Sequence, residues 1–501
     1  MKWLVPCVAV LLLAGCDTAA PPATPAAQGP NDAFTRLSVA YARTQVRWLP
    51  EMAVFARVPL PPDELPAVAP QAVALRLATV RAVMEQAKAL ATTPLPPASR
   101  EALALFLRDR QEELQGAPYP EELFPLSAPD GGFALWAVTA LARGEVVPET
   151  AADHEAWLQV LSQVPAWVHV ATANIDQAEA RGLGLAPEAW RALAAQVGAA
   201  AAADLVPPAG AWGSVPAAAQ QALTQRYQTL RQESLQPALQ HLQVRLQAAA
   251  ARAKDAPTWA DLPLGEAWYA YRLRKATGMS FAPREWHEAA LAEVTRLEAL
   301  QATLVVVDNA GASLDAAAPA PAPAAAAPSV PVLRERLPWV EVPAWQRLAP
   351  HPAHRDGYGL YRLRARLAAG NVAGAAPELP ANTAADSAAL AEVRDSLALL
   401  VIDTGLHGLG WNRSQALAYL AAHSRWTGAA ATERMGAVLA SSAWMAAPAA
   451  GYLRLWQLRE ALALQQGAAF DEALFDQQLG AWGPLPLEVL EQRMRAWAVA
   501  P

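Results

Sequence analysis

The side chains able to do chemistry are few enough to place one by one. Eight histidines occur in 501 residues, and two of them, His351 and His354, stand beside Asp356. Two imidazoles and a carboxylate can bind zinc, and with His407 they form the one candidate metal set: His351, His354, Asp356 and His407. Pro350 and Pro352 flank His351 and argue for a loop there. A loop lacks the rigid frame that holds ligands in place, so solvent exposure is the ordinary outcome. Asp403 and His407 are four residues apart, one turn of a helix, so the carboxylate could orient the imidazole. The plainer alternative is a buried structural pair closing a helix end at Gly405. Nucleophilic catalysis has less to work with. The cysteines are Cys7 and Cys16, both near the N-terminus, and no serine sits in a glycine-flanked elbow.

The elements that must position these groups read as helices. Alanine and leucine dominate, and apolar residues recur at three- and four-residue spacing, as in Leu223, Tyr227, Leu230, Leu235, Leu239, Leu242 and Leu246. Pro237 should kink or split that helix, because it lacks an N–H for the ladder. Pro187, before Glu188, Trp190 and Leu193, fits a helix start, where the missing donor does no harm. The fold expected is all-α, a large helical body. An alternation of alanine and proline from Ala316 to Pro328 cannot pack a core. A loop or linker over 309–332 therefore divides an N-terminal helical part, 33–308, from a C-terminal one, 333–501. With 54% hydrophobic residues the chain can bury a large core. Its net charge of -7, with both signs interspersed, offers no basic stripe for nucleic acid.

At the N-terminus Lys2 precedes an apolar run from Val8 to Leu13, too short to span a bilayer. Leu13, Ala14, Gly15 and Cys16 resemble the lipobox of bacterial lipoproteins. This predicts a signal peptide over 1–15, a lipidated Cys16 and an Ala/Pro tether over 16–32. Cys7 leaves with the signal peptide, so the body has no free thiol. The expected location is the cell envelope, body in the periplasm, with membrane lipid as partner through acylated Cys16. Asp17 resembles an inner-membrane retention signal of enteric bacteria, a rule that varies between groups and leaves the choice of membrane open.

Four segments in a fixed order resemble the bacterial family known as domain of unknown function 885. Ala151 to Gly184, with Trp157, Val164 and Pro165, resembles its paired helices and glycine turn. Leu262 to Tyr269, continuing through Leu273, Arg274, Thr277 and Gly278 to Trp286, His287 and Glu288, resembles its glycine-tyrosine segment. Asp403 to Ala416 is similar nearly residue for residue to its aspartate-glycine-histidine motif. The C-terminus keeps Leu458, Arg459, Gly467, Phe470, Asp471, Phe475, Gly483, Leu485, Pro486, Leu487, Leu490 and Trp497 at the family spacing. The resemblance implies a helical body like that of gluzincin zinc metallopeptidases. It also implies a zinc helix with two histidines and a glutamate, and a distant carboxylate as third ligand.

Here the chain departs from the pattern. His154 with Glu155, and His287 with Glu288, have no second histidine within two turns, and read as helix-surface pairs. The zinc helix should fall before Asp356, where Trp339 to Leu348 contains no histidine. Asp356 to Tyr361 resembles the third-ligand segment, with aspartate for the family's glutamate and tyrosine for its tryptophan. Pro448, Ala449, Leu399 and Asp476 replace polar or basic residues of the implied pocket. These losses predict a protein without catalytic zinc that keeps the framework for binding or scaffolding. Its candidate degenerate-site residues are Asp356, Asp403 and His407, and no cofactor is expected. The alternative is an active zinc peptidase using the substitute ligands above. A third reading is a cleft holding a peptide, cell-wall fragment or envelope protein between Tyr358, Tyr361 and Trp411, rings that otherwise belong to the core.

Overall fold

The computed structural model describes residues 30–48, 68–127, 132–141, 143–144, 146–207, 212–253, 258–311, 342–372 and 383–499. The expected signal peptide, Cys16 and the Ala316–Pro328 stretch lie outside them. The described residues contain helices and no strand, as the periodicity predicts. None of these helices is long and apolar enough to cross a membrane.

Helices α1 (Pro30–Trp48), α2 (Pro70–Ala91) and α3 (Pro97–Gln115) pack on one another in order. The first begins at Pro30, so the last residues of the expected tether belong to a helix. They are followed by α4 (Phe133–Ala140), α5 (Ala151–Ser162), α6 (Val164–Ala180) and α7 (Pro187–Ala202). Next, α8 (Ala217–Leu230) and α9 (Gln236–Arg252) are joined by one π-helical turn, Arg231–Leu235. That turn is how the chain accommodates Pro237. The wider turn absorbs the lost N–H, and Pro237 falls in the first turn of α9, so the helical run is interrupted without being cut.

The second half holds α10 (Gly265–Thr277), α11 (Pro283–Gly311), the single turn α12 (Ala344–Arg347), α13 (Pro352–Val372) and α14 (Thr383–Gly408). It ends with α15 (Arg413–His423), α16 (Gly428–Ala440), α17 (Ala447–Gln466), α18 (Glu472–Ala481) and α19 (Leu487–Ala498). The closest-packed pairs are α13 with α17, α7 with α9, and α11 with α14. Two facing glycines explain the first pair. A Cβ on Gly451 would lie 1.7 Å from the Ala353 carbonyl oxygen, and one on Gly357 would lie 2.6 Å from Gly451 Cα. Only glycine at both positions lets the backbones approach so closely. α7 also packs on α16, and α12 on α1, so both halves of the chain share one buried cluster running from Phe34 to Met494.

Candidate functional site

The described residues put the two groups of candidates in different settings. Asp403 and His407 lie on the last turns of α14, which closes by glycine. Gly410 takes a left-handed φ of 70°, and the Trp411 N–H donates back to the Gly405 carbonyl at 2.9 Å. The Leu409 N–H donates to the same carbonyl at 3.2 Å, so this wide turn satisfies an acceptor that the helix end would otherwise leave open. The helix itself continues to Gly408, past the expected stop at Gly405. Gly405 has another function: a Cβ there would come within 2.6 Å of the Trp411 ring, so its bareness allows the indole to fold over the helix.

Asp403 is fully buried. Its Oδ1 accepts from the Tyr269 hydroxyl at 2.7 Å and its Oδ2 from the Ala443 N–H at 2.8 Å. Ala443 holds a left-handed φ of 67°, a conformation that costs energy in a residue with a Cβ. Burial pushes the Asp403 carboxyl up to about 7, against the lowering effect of those two hydrogen bonds and of Arg272. Burial, then the Asp403 charge, hold the Tyr269 hydroxyl well above its ordinary range.

His407 does not meet Asp403. Its Nδ1 accepts the Trp259 N–H at 3.2 Å, so in the neutral ring the proton sits on Nε2. Nε2 lies toward the Val438 carbonyl without completing a hydrogen bond. Burial pushes this imidazole down to about 3, so it is neutral at physiological pH. Behind it the Trp259 indole donates to Leu439 O at 3.1 Å and stacks under the Arg272 guanidinium at 4.1 Å. Arg272 in turn pairs with Glu121 at 3.0 Å and donates to Ser442 O at 3.2 Å. On the other flank His287 donates from Nδ1 toward Val401 O (3.1 Å) and Thr404 Oγ1 (2.9 Å), with its ring against the Trp411 edge.

Above this polar knot opens a cleft of about 810 Å³, lined by Tyr269, His407, Trp411, Asp261, Glu266 and Arg413 among others. The volume lies in the range of small-molecule sites. Asp261 is committed to a capping box with Thr258, and Arg413 pairs with Glu188 at 2.9 Å, whereas Glu266 is exposed on the first turn of α10.

The His351, His354 and Asp356 group does not converge. Pro352 starts a helix rather than extending a loop, so His354 and Asp356 lie on α13. His354 is fully buried; its Nδ1 accepts the Leu485 N–H and its Nε2 donates to Leu479 O, both at 3.1 Å. With both nitrogens engaged, and burial pushing it down to about 4, it has no lone pair left for a metal. His351 faces Asp109 of α3 at 3.5 Å. Asp356 takes both arms of the neighbouring Arg355 guanidinium, at 2.6 and 2.9 Å. Among the described residues no group of three or more His, Cys, Asp or Glu is placed to hold a metal ion. The donor set therefore does not fit zinc.

Of the three expected pocket rings, Trp411 lines the cleft, while Tyr358 and Tyr361 are buried, stacked at 6.1 Å. The Tyr361 hydroxyl donates to Asp476 at 2.6 Å. Leu399 and Ala449 are packed into the core. His154 and His287 are not surface residues: both are buried, the former bonded to the Tyr227 hydroxyl at 3.1 Å, the latter as above. The residues that complete the knot and were not singled out for it are Trp259, Tyr269, Arg272 and Ala443. The first three stand in or just before the glycine-tyrosine segment, an available signal, whereas nothing in the sequence marks the left-handed alanine.

Two solved structures share this fold. A candidate lipoprotein from Colwellia psychrerythraea is 13% identical, with a TM-score of 0.69 over 94% of this chain and 100% of its own. A candidate lipoprotein of unknown function from Shewanella oneidensis is 14% identical, with a TM-score of 0.58 over 92% and 99%. No curated protein matches the chain. The model of one family matches residues 50–326 and 339–494, which include the glycine-tyrosine segment, the Asp403–His407 turn and the C-terminal helices, and the chain is thus a member of the DUF885 family of bacterial proteins of unknown function.

Proposed function

We propose that this chain is an envelope lipoprotein, tethered through acylated Cys16, whose helical body binds or scaffolds rather than catalyses. The observation that carries the reading is the fate of its histidines. His354 spends both nitrogens on backbone groups of the α18–α19 region, His407 spends Nδ1 on Trp259, and His351 faces Asp109. A zinc peptidase needs two imidazoles converging on one ion and a carboxylate poised over its water. Here the same residue types stabilise the fold.

The binding surface in this reading is the cleft above the Asp403–Tyr269 pair, with Trp411 as its aromatic wall and Glu266 at its rim. An indole half-exposed in a cleft gives apolar contact with few rotors to freeze. The lipobox-like segment and the description of the two similar structures as candidate lipoproteins support the envelope location.

The test is a peptidase assay on the purified chain with a mixed peptide library, with and without zinc, followed by thermal denaturation with the same peptides. The expected result is no cleavage, and a raised melting temperature with some peptides that Trp411→Ala abolishes. Chelator-sensitive cleavage would overturn the non-catalytic reading and favour a peptidase with substitute ligands.

A further inference from the structure

Away from the cleft, where α1, α2, α3 and α10 meet, an arginine is buried with two of its nitrogens unbonded. Arg110 of α3 is 3% exposed, yet its Nε and Nη1 have no hydrogen-bond partner. Its guanidinium lies over the Tyr41 ring at 4.4 Å and near the Phe106 ring at 5.0 Å. Stacking of this kind fixes the plane of the group and leaves its N–H edge to be satisfied in that plane.

Two carboxylates lie near it: Asp109, which is buried, within electrostatic reach of Arg110 and facing His351 at 3.5 Å, and Glu113. Glu113 stands 3.6 Å from Arg110 Nε and 3.6 Å from Arg76 Nε of α2, beyond hydrogen-bond length in both cases. It is already taken by the Tyr41 hydroxyl at 3.1 Å. Arg76 Nε is also buried and unpartnered. Lys275 of α10 lies within electrostatic reach of Arg76 and Glu113. Its ammonium approaches the rings of Tyr271 and Trp444, at 5.5 and 5.9 Å. The nearby acids Glu112 and Glu121 are bound to Arg274 and Arg272.

Arg76 and Arg110 thus flank Glu113 without a hydrogen bond to it, and Lys275 lies within electrostatic reach of the same carboxylate. Exposure is graded, from 4% of the Arg110 side chain and 24% of Glu113 to 32% of Arg76, so the cluster runs inward from solvent. Leaving buried guanidinium nitrogens unsatisfied is costly, and a partner with several acceptor atoms and negative charge satisfies them best.

We propose that Arg76, Arg110 and Lys275 form a binding site for a phosphate-type oxyanion, seated beside Glu113 and the Tyr41 ring. The oxyanion accepts from the free edge of Arg110 at the floor and from Arg76 and Lys275 nearer the mouth. Free phosphate and the phosphate of a lipid headgroup offer the same acceptor chemistry.

The test is calorimetric titration of the full-length chain with inorganic phosphate, ionic strength held constant with chloride. Saturable binding is expected, weakened at least about tenfold in the double variant Arg76→Gln, Lys275→Gln, the loss of about 1.4 kcal/mol. Both side chains are partly exposed, so the variant should fold, which circular dichroism checks. Absence of saturable binding, or equal affinity in the folded variant (an adventitious ion only), overturns the proposal. Once phosphate binding is established, vesicles of phosphatidylglycerol against phosphatidylcholine identify the source. Variant-sensitive preference for phosphatidylglycerol assigns a lipid headgroup, and equal behaviour assigns the soluble ion.

Discussion

The α13 cluster and the α14 knot began as similar clues, each a histidine with an aspartate two to four residues away, and they fold into opposite kinds of place. At the start of α13 the side chains diverge: His354 bonds inward to two backbone groups, Asp356 folds onto Arg355, and His351, just before the helix, reaches across to α3. On α14 they stay together under a cleft, yet each is tied to a third element, Asp403 to Tyr269 and Ala443, His407 to Trp259. Neither is a ligand set. Sequence proximity gives chemistry only when side chains face a common empty point, and a buried imidazole whose neighbours are backbone N–H and C=O groups is used up as a structural tie.

The sharpest way to break this contrast is at the helix joint that fixes α13. Gly451→Ala places a Cβ against the Ala353 carbonyl, and should cost more than about 3 kcal/mol or prevent folding, measured by denaturant unfolding. If stability is unchanged, α13 is not held as described.

Next in size is His354→Ala, which orphans the Leu479 carbonyl and the Leu485 N–H and leaves a cavity, for about 3 kcal/mol. Bound metal should be the same before and after, by elemental analysis. A fall in metal would make His354 a ligand.

The pH dependence separates the two regions again. Asp403, raised to about 7, contributes stability that is full below about pH 4 and disappears as pH rises through about 7. His354 and His407, lowered to about 4 and about 3, contribute stability that is present above about pH 6.5 and is lost on acidification. Between about pH 4 and 6.5 the two histidines outweigh the one aspartate, so the protein should weaken toward acid. Asp403→Asn removes the opposing contribution and should steepen that loss, seen as a larger fall in melting temperature from pH 7 to 5. An unchanged fall would mean that Asp403 is ionised in the fold.

The smallest effect belongs to Asp356→Ala. Its pairing with Arg355 is partly exposed, so the change should stay within about 0.5 kcal/mol and leave thermal responses to peptides unaltered. A loss of ligand response would return Asp356 to the site.

The helical body was legible because apolar spacing and proline position are local properties. Pro187 and Pro352 both mark helix starts, although Pro352 reads equally well as a loop residue until the helix after it is seen. The Pro237 interruption was legible as a break, but not as a π turn, since neighbouring helices decide whether a lost hydrogen bond is absorbed or ends the helix. His154 and His287 misread as surface residues because burial of a polar ring depends on a partner far along the chain: Tyr227 for one, Val401 and Thr404 for the other. The same holds for Asp403, whose partner Ala443 is 40 residues away and carries no sequence mark.

The central claim is that these histidines serve the fold and not an ion, and metal stoichiometry tests it most directly. The chain, purified without chelator or histidine tag and incubated with excess zinc, is desalted and its zinc counted. The account predicts well below one equivalent, unchanged in His351→Ala and His407→Ala. About one equivalent of zinc, lost in either variant, would contradict it.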